Sequence, residues 1–289
     1  MLWRQGDWEI ECDSAGGRLT RAAWRGRSLL TQPHLPGGVF VAPDPKWGEY
    51  ETRPVFGYDD CWPSLAVSAW PGRDRLVRDH GELCWLEWAV TAGADALQAT
   101  AADPAGEWTF TRTLSCLGIA LRFDFLCTNT GQRPLCMSWA GHALVLPASV
   151  HDLLLPEFER VRCDYPAESG RENEPADAAQ VWPFLKALPR GEAVMLVLEH
   201  CQSPALTVLF DGARWTMAIE GVERPSLGLW YNAGGYPPEP GLQREEFGLE
   251  WMLTPECALE QAAPSGTAII VAPGEACCWA VIWSLEEHA

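Results

Sequence analysis

No Cys-x-x-Cys pair occurs among the eleven cysteines, which removes a zinc knuckle and a dithiol redox motif from consideration. No apolar run approaches the length of a membrane-spanning helix, and the opening MLWRQGDWEIE lacks the apolar stretch of a secretion signal. Basic residues are scarce. Lys and Arg number 21 against 39 Asp and Glu, for a net charge of -18. Such a field repels nucleic acid and anionic membranes, so neither is an expected partner. Convincing amphipathic helices are almost absent, and no fixed-period repeat or linker is visible. Many cysteines, Cys84, Cys127 and Cys277 among them, sit inside apolar runs and read as small buried hydrophobes. The expected compartment is therefore the reducing cytoplasm.

What is present is strand-forming and aromatic. The hydrophobic share is 47% and there are sixteen Trp, punctuated by Gly and Pro turns. WEIEC alternates. GGRLTRAAWRGRSLLT reads as a hairpin turning at Arg25-Gly26. ELCWLEWAVTA, ALQATAA and EWTFTRTLSCL read as antiparallel strands. ALRFDFLCTNTGQRPLCMSWAGHALVL gives two long strands with a turn at Asn129-Thr130-Gly131. AVMLVLEH, ALTVLFDG, RWTMAIEG, SLGLWYNAGG, EFGLEWML and ACCWAVIWSL form a second meander. The polar stretch from Pro166 to Gln180 reads as a surface loop. The pattern predicts an all-β chain, one domain over residues 1–289, built as two packed antiparallel sheets with long loops on one face.

Polar groups embedded among aromatics are costly unless paired or functional. Five stretches carry them: GYDDCWPS, DHGEL, SWAGHALVLP, LGLWYNAGG and FGLEWML. An aromatic face beside carboxylate and amide groups suits a sugar, which offers apolar ring faces and hydroxyls. Each residue alone has a plainer reading. His80 is a turn histidine, His142 a satisfied core histidine, and Asp59 and Asp60 are turn residues. Strand alternation would point Glu250 at solvent. His34, His151, His200 and His288 read as surface or structural.

The order of these stretches resembles the aldose 1-epimerase, or galactose mutarotase-like, superfamily over nearly the whole chain. The opening hairpin, CWPS then DHGEL, CTNTGQRPLCMSWAGHALVLP, WYN, and FGLEWMLTPECALEQA before the last strand all match its pattern in sequence. The resemblance implies a large antiparallel β-supersandwich. It implies a sugar-binding histidine at His80, a general acid at His142 and a general base at Glu250. Asp60, Arg53, Trp139, Trp230 and Asn232 are the expected substrate contacts. The reaction is the interconversion of anomers of a neutral sugar. A carboxylate takes the anomeric hydroxyl proton while an acid on the opposite side of the sugar protonates the ring oxygen, with no metal or cofactor. Arginines of the sugar-phosphate branch are replaced by Val55 and Cys84, which disfavours a phosphosugar. Trp251 stands where the family usually has Pro after the glutamate.

Other readings stay open at this stage. One is a non-catalytic carbohydrate-binding protein on the same scaffold. Another is sugar chemistry of a different kind, using a His and Tyr58 or Tyr231. A metal site of His80, His142 and a carboxylate fits the residue types but not a short ligand spacing. Edge strands could pair two copies into a homodimer.

Overall fold

Alternating hydrophobicity builds two large antiparallel sheets, described here from a computed structural model covering residues 1–33, 50–166 and 175–287. His34 and His288 lie outside the described residues. The first sheet has ten strands. Its order is Leu2–Gln5, Trp8–Cys12, Leu19–Trp24, Tyr58–Cys61, Ala140–Val145, Glu245–Met252, Ser226–Ala233, Ala193–Glu199 and Arg160–Tyr165, with Arg27–Ser28 paired to Leu19–Trp24. The second has eight, in the order Asp152–Leu154, Ala205–Phe210, Ala213–Glu220, Ala276–Glu287, Ala120–Asn129, Trp108–Leu117, Ala96–Ala102 and Ala89–Ala92.

The strand Trp108–Leu117 shows how sequence fixes a face. Trp108, Phe110, Arg112 and Leu114 are buried, while Thr109, Thr111 and Thr113 alternate outward, as the two-residue period requires. The inward residues of both sheets make one apolar layer, in which Phe125, Trp139 and Trp279 lie with ring centroids 4.8–5.3 Å apart. Aromatic pairs at such spacing add to the burial of their area. In the first sheet, Ala140–Val145 and Ala193–Glu199 are buried at every position. Their second face is therefore covered too, and it forms the floor of a cleft.

Several expectations change. The two long strands either side of Asn129 do not pair with each other: Ala120–Asn129 belongs to the second sheet and Ala140–Val145 to the first. The second meander likewise divides between the sheets. Leu83–Trp85 is a 3-10 turn, and the strand predicted there begins only at Ala89. Among the described residues there are two short α-helices, Ala178–Lys186 and Leu259–Ser265. The first takes residues 178–180 from the predicted loop, because the Asp177 side chain caps the amide of Gln180 at 3.0 Å and apolar Val181, Trp182 and Leu185 bury one side. Residues 167–174 of that loop lie outside the described residues. No helix among the described residues is long and apolar enough to cross a membrane.

One charge pair crosses the core. Arg112 of the second sheet donates to Asp60 of the first at 2.6 Å, and both side chains are fully enclosed. Asp60 also accepts from Tyr58 Oη at 2.8 Å and Trp139 Nε1 at 3.0 Å. Removing one partner strands the other charge in the core. Arg112→Ala should therefore lower unfolding stability by about 3–5 kcal/mol in a urea titration; a loss below about 1 kcal/mol would contradict this account of the pair.

Candidate active site

Strand register lines up the ionisable groups. His142 pairs with Asp59 across one neighbour, and Gly228 pairs with Glu250 across another. The pairs Ala140–Met252 and Ala143–Leu249 set His142 opposite Glu250 on the remaining ladder. Asp59, His142 and Glu250 thus form one row on the cleft face of the sheet. Phe247, Leu249 and Trp251 point the other way, into the core between the sheets. This is why Glu250 sits between two apolar neighbours without facing bulk water. Gly248, two residues before it, faces the same way. A Cβ there would stand 2.7 Å from Glu250 Oε1 and 3.0 Å from the Trp230 side chain. The glycine makes room for the carboxylate.

His80 arrives by a sharp corner. His80 and Gly81 both have left-handed backbone, at φ 56° and 78°. The His80 amide donates to Leu65 O and the Glu82 amide to Trp62 O, each at 2.7 Å. Gly81 packs so closely that a Cβ would lie 2.1 Å from Trp62 O, so only glycine fits. The corner delivers the His80 ring onto the Tyr50 ring, with centroids 3.6 Å apart and planes 8° from parallel.

The cleft holds about 180 Å³. His142, which is buried, places Nε2 3.7 Å from Glu250 Oε1. Among the described residues, Glu250 Oε2 is buried without a hydrogen-bond partner. Burial, with the negative charge of Glu246 adding to it and His80 opposing, pushes the Glu250 carboxyl up to about 7. Burial and the nearby His80 pull His142 down to about 3. His80 moves the other way. Burial alone would lower it, but Asp79 Oδ1, 3.1 Å from Nδ1 and off the line of a hydrogen bond, outweighs that and raises it. Asp59 is held well below the usual carboxylate range: burial opposes ionisation, but Arg18, 2.5 Å away, and Arg53, at 3.8 Å, overcome it.

Four of the residues expected from sequence meet in the cleft: Glu250, His142, His80 and Trp230. Arg53 stands behind it, over the rings of Tyr50 and Trp85 and donating to Cys84 O. Asp60 and Trp139 do not line it. Neighbouring strand residues face opposite ways, so Asp59 turns to the cleft side and Asp60 to the core, where Trp139 is its hydrogen-bond donor. Asn232 is also absent from the lining. Its Oδ1 accepts from the amides of Gly234, Gly235 and Tyr236 at 2.9–3.1 Å, and its Nδ2 donates to Tyr236 O at 2.7 Å. It fixes the turn that carries Tyr236 into the cleft.

Sequence reasoning missed Tyr50, Asp59, Arg244 and Glu246. Glu246 shares the parity of Glu250 along one strand, and Arg244 lies just before that strand with the same parity, a signal that was readable. Tyr50 lies in a 3-10 turn outside every strand and carried none. Trp230 makes T-shaped contacts with Tyr165 and Tyr236, each at 5.4 Å between centroids, and these rings form an apolar wall. Arg244 is spent internally. It donates to Glu246 at 3.0 Å and to both oxygens of Glu51.

Among the described residues, Cys61, His80 and His142 bring potential metal-ligating atoms within 4.8 Å of one another. The donor set fits a metal poorly. Ligands of one tetrahedral zinc stand only about 3.3–3.8 Å apart. The Cys61 thiol is held protonated by burial and by the charges of Glu250 and Asp59, and His142 Nδ1 is already engaged by Tyr50.

The raised Glu250 value has a consequence for stability. The folded value, about 7, exceeds the ordinary 4.5, so the protonated form is favoured in the native state. The contribution is fully present below pH 4.5 and is lost as pH rises to about 7. Glu250→Gln should match wild type in acid and exceed it above neutrality by on the order of 3 kcal/mol, read from denaturant midpoints across pH. Parallel stability curves would show that the carboxyl is not perturbed.

Neither a protein-family model nor a curated protein matches the sequence. Solved structures do. A galactose mutarotase-like protein from Clostridium acetobutylicum is 10% identical, with 99% of this chain and 95% of that one covered at a TM-score of 0.71. A galactose mutarotase related enzyme from Lactobacillus acidophilus is 11% identical, with 100% and 97% covered at 0.64. A protein from Synechocystis sp. PCC 6803 is 14% identical, with 99% and 95% covered at 0.70. With two large antiparallel sheets and these neighbours along its whole length, the chain has the galactose mutarotase-like fold.

Proposed function

We propose that the chain is an aldose 1-epimerase-like enzyme that interconverts the anomers of a neutral sugar. The observation that carries this reading is the buried Glu250 carboxyl, pushed up to about 7, beside the Nε2 of His142. Mutarotation needs an acid and a base that exchange roles within one cycle. Glu250, as carboxylate, takes the proton of the C1 hydroxyl. The bond from C1 to the ring oxygen breaks, and the ring oxygen takes a proton from protonated His142 Nε2. The open-chain aldehyde then rotates about C1–C2. Reclosure returns both protons along the same paths and gives the other anomer. Base and acid lie side by side, rather than across the sugar as the sequence reading had them. That spacing suits two oxygens attached to one carbon.

The cleft chemistry supports a neutral substrate. Among the described residues, Arg244 is the arginine of the lining, and its donors are taken by Glu51 and Glu246, which leaves no described guanidinium of the lining for a phosphate. Trp230, Tyr165 and Tyr236 offer ring faces to the apolar side of a pyranose. A reducing compartment suits the site, because Cys61 and Cys257 beside it are buried free thiols.

Anomer exchange measured by saturation-transfer NMR on a panel of neutral aldoses tests the proposal. Wild type should accelerate exchange for at least one sugar, and Glu250→Gln should reduce that acceleration by roughly 100-fold or more. Sugar binding without acceleration would instead favour the carbohydrate-binding reading. The same assay reads the proton count. Glu250 and His142 together hold one proton between about pH 3 and about pH 7. The rate should therefore fall as pH rises through about 7; a rate still climbing there would contradict the assignment of His142 as the acid.

A further inference from the structure

The Tyr50 hydroxyl has one proton and two neighbours, and this fixes a proton elsewhere. Tyr50 Oη donates to Asp59 Oδ2 at 2.7 Å, inside the buried region. Asp59 is an ionised carboxylate gripped by Arg18 through Nε at 3.1 Å and Nη2 at 2.5 Å, so it can only accept. The second neighbour of Tyr50 Oη is His142 Nδ1 at 3.3 Å. With its proton given to Asp59, Tyr50 can meet that nitrogen only as an acceptor. His142 Nδ1 must then carry a hydrogen, which leaves Nε2 as the nitrogen that gains and loses a proton. Nε2 is the atom that faces Glu250.

We propose that Asp59 and Tyr50 are positioning residues that hold His142 in the Nδ1–H tautomer, so that its acid–base chemistry runs through Nε2 alone. This rests on the reading of His142 and Glu250 as the acid–base pair. When His142 gives its Nε2 proton to the ring oxygen, the neutral imidazole left behind is already the Nδ1–H form. Neither ring rotation nor a second proton transfer is needed before reclosure. The surroundings of His142 agree. Asp59 and Cys61 face it from one neighbouring strand, and Glu250 and Glu246 from the other. Arg18 stands behind Asp59, and His80 and Tyr50 cover the ring edge. Of these, Tyr50 is the group that contacts Nδ1. The carboxylates of β-strand Glu246 and Glu250 lie on the cleft side. Arg18 serves the relay indirectly: it keeps Asp59 ionised and therefore an acceptor.

Tyr50→Phe is the informative variant, because it keeps the ring that stacks on His80 and removes only the hydroxyl. Nitrogen-15 chemical shifts of the histidine rings report the tautomer directly. In wild type near neutral pH, His142 should show a protonated Nδ1 and an unprotonated Nε2. In Tyr50→Phe the Nδ1–H population should fall in favour of Nε2–H. In the sugar assay kcat should drop by roughly 10- to 100-fold with KM changed less than about twofold, as expected when the wrong tautomer faces the reacting atom. Asp59→Asn gives a second arm: it should shift the tautomer in the same direction if the variant folds. An Nε2–H tautomer in wild type, or an unchanged tautomer in Tyr50→Phe, would overturn the proposal. The nitrogen shifts decide this even if no sugar is turned over, an outcome that would count against the epimerase reading alone.

Discussion

A carboxyl group and an imidazole buried side by side, with one proton between them, constrain everything around the cleft. Water cannot solvate either charge, so each neighbour must either supply a partner or stay out of the way. Gly248, with no side chain, leaves room for the Glu250 carboxylate. His80 lies edge-on to His142 and suppresses its protonation. Glu246, already paired with Arg244, discourages ionisation of Glu250. In the proposed mechanism, the burial that costs stability at neutral pH is the same burial that sets the Glu250 carboxyl near 7, where it can give and take a proton. The resting state of that mechanism, with the proton on Glu250 and a neutral His142, matches the protonation of the open-chain half of the reaction, so the proposed site is set for reclosure as much as for opening.

The dipeptide Asp59-Asp60 joins this site to the fold. Two adjacent carboxylates on a strand must face opposite ways, and both are buried here. Asp60 meets Arg112 from the far sheet and ties the two layers together. Asp59 meets Arg18 and Tyr50 on the cleft side. A strand held firmly on one face presents its other face with little freedom. Asp59, on such a strand, has a fixed place beside His142 of the neighbouring strand, and Tyr50 reaches both from its 3-10 turn.

Much of this was legible from the residues, and the limits have physical causes. Alternating strands and turn residues foretold two antiparallel sheets, and the hairpin at Arg25-Gly26 formed as read, with both residues at positive φ. Pairing partners were harder. Nothing local in the segment around Asn129 says that the chain changes sheets there. Glu250, His142 and Trp230 came into one cleft because register, set by core-facing neighbours, brought them into line, and the corner at Gly81 delivered His80 beside them. Asp60 was chosen over Asp59 because a sequence cannot say which parity faces the core when both residues are polar. Trp139 and Asn232 had plausible polar edges, but those edges are consumed by Asp60 and by the 234–236 turn. Tyr50 sits in a short turn with no periodic signal, yet it contacts both histidines.

The central claim is that Glu250 keeps its proton far above the usual carboxylate range. Infrared difference spectra between wild type and Glu250→Gln, recorded across pH, isolate the carbonyl stretch of that one protonated carboxyl. The account requires the band to be present well below neutrality and half lost near pH 7. An ionised carboxylate throughout, with no protonated band between pH 4.5 and 7, would contradict it.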